Sequence, residues 1–271
     1  MVNENKNRLG ARIEKCRGNH EGILVGLIPF GDPDLEVSAH LVDVYLEAGV
    51  DIVEFALASE DPFVDSRQIK ESGARALANE PDLLKHFEKI KQIRQAYPQE
   101  PLEVMAYSDA KNKVGMQRFV REMQEADIDA HLLADSVFCE KAVIDQLEDL
   151  LTAAKICRIR FMPHPFREDL LEDIGSAGKG FMILQSIADA NGMRPRVAPE
   201  NKGLVDRVRA SGTKAAIILA YGIRDEERAR EAAATGADGI IVGTSFVELI
   251  SQADYNGLSR KIKAIKNALK R

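Results

Sequence analysis

The chain has 271 residues, with 37 Lys and Arg against 43 Asp and Glu (formal charge −6) and 45% hydrophobic residues. That length suits one large core, and the acidic balance, with no basic stripe interleaved with aromatics, excludes nucleic acid as the expected partner. No run approaches the roughly 20 apolar residues of a membrane span. The polar start MVNENKNRLG does not read as a signal peptide, and three scattered cysteines without a CxxC pair point to reduced thiols in a cytoplasmic protein, with no disulfide framework or zinc site.

A polar N-terminal segment with helical character, residues 1–21, precedes the first apolar run. Strands are then predicted at 23–30, 52–57, 102–107, 130–134, 156–162, 181–184, 215–220 and 239–242. Amphipathic helices are predicted between and after them. In the first, Leu35, Ala39, Val42, Tyr45 and Leu46 recur at three- and four-residue spacing. The others cover 83–97, 116–126, 140–154, 168–174, 203–211, 225–235 and 258–269, with a short extra turn at 246–250. Eight strand–helix units without a Pro/Gly/Ser-rich linker predict a single (β/α)8 TIM barrel over residues 1–271. A doubly wound open sheet is the runner-up, but it calls for a Gly-rich turn where this chain has Phe30-Gly31-Asp32-Pro33.

In such a barrel the chemistry sits at the C-terminal ends of the strands. Glu54 stands inside the apolar run Ile52-Val53-Glu54-Phe55-Ala56-Leu57, and Asp65 ends the loop segment Asp61-Pro62-Phe63-Val64-Asp65. An ionised carboxylate in a strand covered on both faces costs several kcal/mol unless something compensates it. Glu54 is therefore either neutralised by a buried basic group or turned toward a cavity where its proton is used. Other acids at the rim have structural explanations. Asp32 before Pro33 suits a turn, and Asp109 and Asp135 are placed to cap helices.

Two glycine signals follow late apolar runs, Ala220-Tyr221-Gly222-Ile223 and Val242-Gly243-Thr244-Ser245, each just before a helix. Glycine admits close approach to an anion, and helix N-termini supply free amides and positive potential, so the pair predicts a phosphate site. Gly192 ends the loop after the sixth strand and is a third candidate.

These residues resemble the tryptophan synthase alpha subunit family. Gly31-Asp32-Pro33 is similar to its GDP after the first strand, and Glu54 with Asp61-Pro62-Phe63-Val64-Asp65 to its glutamate and S-D-P-L-A-D loop. Tyr107, Ala134-Asp135, Gly178-Lys179-Gly180-Phe181, Gly222-Ile223 and Gly243-Thr244 fall at comparable places, and the likeness runs from about Gly22 to the end. The resemblance implies a carbon–carbon lyase that splits indole-3-glycerol phosphate into indole and glyceraldehyde 3-phosphate without metal or cofactor. It implies Glu54 as general acid–base and Asp65 as the group holding the indole N–H. Gly192, Gly222, Gly243 and Thr244 would hold phosphate, and Leu27, Tyr107, Leu132, Ala134, Phe161 and Ile183 would form the indole pocket. A tryptophan synthase beta subunit would be the partner.

The chain departs from the family pattern in several places. Ala56-Leu57-Ala58-Ser59-Glu60-Asp61-Pro62 replaces a G-V-P-F-S-D-P stretch that leads to the beta contact. The 186–192 loop lacks the arginine and threonine of S-R-x-G-V-T-G, and Ala220-Tyr221-Gly222 replaces G-F-G. The alternatives are a related barrel enzyme for another phosphorylated substrate, with Glu54 still the proton carrier and no beta partner, and a non-catalytic binding protein.

Overall fold

The computed structural model describes residues 8–178, 180–187 and 197–270. Eight parallel strands close into a barrel in chain order: β1 Ile23–Phe30, β2 Ile52–Leu57, β3 Leu102–Ala106, β4 Ala130–Leu133, β5 Cys157–Met162, β6 Phe181–Gln185, β7 Ala216–Ala220 and β8 Gly239–Val242. The first strand pairs with the last through Ile23↔Gly239 to Gly26↔Val242, which closes the sheet. At Gly239 a Cβ would lie 2.3 Å from the Ile23 carbonyl oxygen, so the seam accepts no larger residue there.

The twelve α-helices among the described residues are α1 Arg8–Gly18, α2 Leu35–Ala48, α3 Arg67–Asn79, α4 Leu83–Ala96, α5 Ser108–Val114, α6 Met116–Glu125, α7 Lys141–Ala153, α8 Leu171–Gly175, α9 Asn201–Ala210, α10 Glu226–Ala234, α11 Thr244–Ser251 and α12 Tyr255–Ala268. None is long and apolar enough to cross a membrane. Side chains alternate along each strand. Leu24, Val53 and Val104 join the sheet–helix core, whereas Val25, Ile52 and Met105 point into the barrel. The strands are covered on both faces, which is why they read as nearly continuous apolar runs.

Helix α1 seals the N-terminal mouth. Leu9, Ile13 and Cys16 pack into the barrel-interior cluster, and Arg8 donates to Asp129 at 2.8 Å. The carboxylate of Asp129 also receives Arg94 at 2.8 Å, so this buried charge is fully paired. With one end plugged, the opening lies at the C-terminal ends of the strands.

Four helix starts among the described residues use an Asp cap that sequence rules recognise. Asp34, Asp82, Asp225 and Asp254 accept from Val37 N, Leu84 N, Arg228 N and Gly257 N. Asp109 and Asp135 correct the capping expectation, because their carboxylates reach across to neighbouring loops. Asp109 accepts from Ser59 Oγ (2.9 Å) and Glu60 N (2.7 Å), and Asp135 from Ser108 N (3.1 Å) and Oγ (3.0 Å). Asp32 is more than a turn former. It is buried and receives both Ser72 and a bidentate Arg75, tying the loop after β1 to α3.

Candidate active site

The C-terminal mouth holds a cavity of about 370 Å³, within the range of small-ligand sites. Its floor includes Glu54, placed there by the alternation of β2: Ile52 and Ala56 point inward on either side of it, and Val53 and Phe55 outward. Glu54 is 1% exposed, and among the described residues no donor reaches its Oε2. Among the described residues no lysine or arginine pairs with it, and the electrostatic influences on it come from Asp65 and Glu103. Of the two fates open to a buried Glu in the second strand, the structure shows the one facing the cavity. Burial first, then the charge of Asp65, push its carboxyl up to about 8, and the neighbouring Glu103 carboxyl acts in the opposite direction.

Asp65 sits partly buried in the loop between β2 and α3 and lines the same cavity. Tyr107, one residue beyond β3, donates its phenol to Asp65 Oδ2 at 2.9 Å. Burial raises Asp65 to about 6 against the lowering effects of that hydrogen bond and of the Lys70 charge. The next residue, Ser66, starts α3 and receives the hydroxyl of Thr244 at 2.9 Å. The acid-bearing loop is thus held from β3 on one side and from α11 on the other. Asp109 adds a third tether through Ser59 and Glu60.

The anion end lies opposite. Tyr221 and Gly222 both take left-handed backbone, φ 72° and 76°, which glycine accepts freely and tyrosine rarely does. The turn is clamped by Ser186, whose Oγ donates to the Tyr221 carbonyl at 2.7 Å. Gly243 is needed for space, since a Cβ there would press on Leu27 and Ile69 at 3.3 Å. Gly243 O accepts from Phe246 N (2.8 Å) and Val247 N (3.0 Å), which leaves the amides of Thr244 and Ser245 without an intrahelical acceptor at the start of α11. Beside them Ser245 Oγ is buried and unpartnered, although it lines the cavity. A buried hydroxyl without a partner, next to free amides and a helix N-terminus, fits an anion such as phosphate.

Eleven residues expected from sequence line this one cavity: Glu54, Asp65, Gly222, Gly243, Thr244 and the six apolar candidates Leu27, Tyr107, Leu132, Ala134, Phe161 and Ile183. Gly192 lies outside the described residues. Sequence reading did not pick out Ser66, Gln68 and Ile69 on the unforeseen α3, nor Met105, Arg224 and Ser245 as site residues. It also passed over Glu103 beneath the floor. An acid inside the apolar run Leu102-Glu103-Val104-Met105-Ala106 carried the same signal as Glu54.

The fold and site define a (β/α)8 barrel enzyme whose cavity is lined by a buried carboxyl, a second carboxylate on a tethered loop, and the N-terminal end of α11. The family model for the tryptophan synthase alpha chain matches residues 13–270. The tryptophan synthase alpha chain of Methanosarcina mazei is 30% identical over 265 residues, covering 95% of this chain and 93% of that protein. That of Citrobacter koseri is also 30% identical, over 258 residues, with 94% and 95% covered. The chain belongs to the tryptophan synthase alpha chain family. Solved structures agree on the fold. A protein from Aquifex aeolicus superposes with TM-score 0.87 at 22% identity, covering 97% of this chain and 99% of that one. A tryptophan synthase structure from Mycobacterium tuberculosis gives 0.84 at 24% identity, covering 97% and 98%.

Proposed function

We propose that this chain is a carbon–carbon lyase that cleaves indole-3-glycerol phosphate into indole and glyceraldehyde 3-phosphate. Family membership supports the substrate. The observation that carries the chemistry is Glu54: a buried carboxyl turned into the cavity with no cation among the described residues to hold its charge. A carboxyl raised in this way keeps its proton near neutral pH and can deliver it. Glu54 would protonate C3 of the indole ring. Asp65, as the anion, would hold the indole N–H and stabilise the positive charge that develops on the ring. The Glu54 carboxylate would then take the proton of the hydroxyl on the carbon attached to C3. As that hydroxyl becomes the aldehyde carbonyl, the bond between the two carbons breaks, and its electron pair returns to the ring. Glu54 ends protonated, ready for the next turn.

The apolar wall of Leu27, Leu132, Phe161 and Ile183 suits an aromatic ring and excludes water from it. Gly222, Gly243, Thr244 and Ser245 would receive the phosphate through amides and the unpartnered hydroxyl. Gly192 stays a candidate for the same end. A beta subunit would dock on the rim where Phe63 and Phe138, 46% and 70% exposed, lie 5.3 Å apart. Exposed aromatics of this kind serve as interface anchors. The family reading carries with it a cytoplasmic location.

The test is direct. Purified protein incubated with indole-3-glycerol phosphate should release indole and glyceraldehyde 3-phosphate in equal amounts. No indole at high enzyme concentration, with or without a beta subunit, would overturn the reading.

A further inference from the structure

Glu103 occupies the barrel interior one strand away from Glu54. The two are register partners across β2 and β3, so their Cα atoms lie side by side. Both side chains point inward, Glu54 to the cavity and Glu103 below it, where Glu103 has no exposure. Among the described residues no N–H or hydroxyl donates to either oxygen of Glu103. The hydrogen bond open to it is the one carboxyls make with each other, and that bond needs a proton.

The groups around the pair can be named. Asp65 acts on Glu54, Tyr221 lies within reach of both their charges, Tyr107 hydrogen-bonds Asp65, and Cys157 on β5 lies near Glu103. Burial holds both phenols up and lifts the Cys157 thiol to about 11, so none of these three is charged near neutral pH. Among the described residues Asp65 is then the one charge that bears on Glu54 besides its neighbour. Two adjacent carboxylates in such surroundings cannot both ionise. The deeper one is the costlier to charge, because Glu103 has no contact with the cavity, whereas Glu54 borders it.

We propose that Glu103 is a positioning residue for Glu54: it stays protonated and donates its carboxyl hydrogen bond to the Glu54 carboxylate, holding that group toward the cavity and easing its ionisation. This rests on Glu54 as the general acid–base. Without the donor, burial and Asp65 would act on Glu54 unopposed, and it would ionise only at higher pH. Glu103 passes no proton to substrate and touches none.

The experiment is a carbon-13 NMR titration of carboxyl-labelled glutamate in the full chain, assigned with Glu54→Gln and Glu103→Gln. It is paired with kcat and kcat/KM for indole release across pH. In the wild type, Glu103 should remain protonated at neutral pH. In Glu103→Leu the Glu54 titration, and the rate limb that follows it, should move up by about one pH unit or somewhat more, the worth of one hydrogen bond to a charged acceptor. KM should change little. In Glu103→Gln the amide still donates, so the titration should stay near the wild-type position. A purely structural Glu103 would lower the rate without moving the limb, and an ionised Glu103 would make the Leu variant titrate lower. Either result, or a wild-type Glu103 ionised at neutral pH, overturns the proposal. If Glu103→Leu does not fold, the wild-type titration and Glu103→Gln still decide. If the wild type releases no indole, the lyase reading fails, while the NMR titration still judges the pair.

Discussion

Removing the phenol of Tyr107 tests how Asp65 is kept ionised. Tyr107 is almost fully buried, and its hydroxyl donates to Asp65 Oδ2 at 2.9 Å. That hydrogen bond favours the anion and opposes the burial that lifts Asp65 to about 6. Tyr107→Phe keeps the ring, its edge contact with Phe63 and the packing, and deletes the donor alone. A hydrogen bond to a charged acceptor is worth about 1.5 kcal/mol or somewhat more, and each pKa unit corresponds to about 1.4 kcal/mol. Asp65 should therefore rise by about one unit. If the Asp65 anion is needed for the chemistry, the acid limb of kcat/KM for indole release moves from near pH 6 to near pH 7. The loss should be about fivefold at pH 6, approach tenfold at pH 5, and nearly vanish at pH 8, from the ionised fractions alone. A uniform loss at every pH would mean that Tyr107 serves packing or ring contact. An unmoved acid limb would mean that Asp65 does not have to be charged.

Three further outcomes follow from the same geometry. Ser245→Ala removes the unpartnered hydroxyl in the cavity, and the KM for indole-3-glycerol phosphate should rise about tenfold with kcat within a few-fold, as for uniform binding; a kcat loss with KM unchanged would place Ser245 elsewhere in the reaction. Glu54 and Glu103 both have carboxyls raised above the unfolded-chain range, so between that range and about 8 the folded state holds more protons than the unfolded one. Stability should then fall as pH rises across that window, by up to ~1.4 kcal/mol per pH unit for each proton. Urea midpoints at pH 5, 6.5 and 8 measure it, and Glu103→Leu should flatten the fall; a wild type more stable at pH 8 than at pH 5 would contradict the buried pair. Phe138→Asp should abolish co-purification with a beta subunit while the isolated chain keeps its rate, because Phe138 packs on Phe63 at the rim and does not line the cavity.

The barrel was legible because its strands are buried on both faces. The apolar runs at 23–30, 52–57 and 239–242 coincide with β1, β2 and β8. Where the strand ends differ, the chain leaves the ladder but keeps its direction. Tyr107 and Ala134 stand one residue beyond β3 and β4 and still face the cavity. Helices α3 and α5 escaped because they bury only small or polar side chains and follow loop-like segments. In α3 only Ser72 and Ala76 are buried, and in α5 only Ala110 and Lys111. Missing α3 hid Ser66, Gln68 and Ile69 from the site.

The contacts that fix the site join residues far apart in sequence, and no local rule encodes them. Thr244 meets Ser66 across 178 positions, and Asp109 leaves its own helix to hold the loop after β2. Glu103 is different. Its signal was present in the strand pattern, and only the register with Glu54 gives it meaning.

The central claim is that Glu54 carries the reacting proton. Glu54→Gln keeps size and shape and removes acid and base together, so the variant should fold and still bind substrate. Indole release from indole-3-glycerol phosphate should fall by at least about a thousandfold, within the range a positioned proton-transfer group supplies. A folded Glu54→Gln enzyme that releases indole within tenfold of the wild-type rate would contradict the claim.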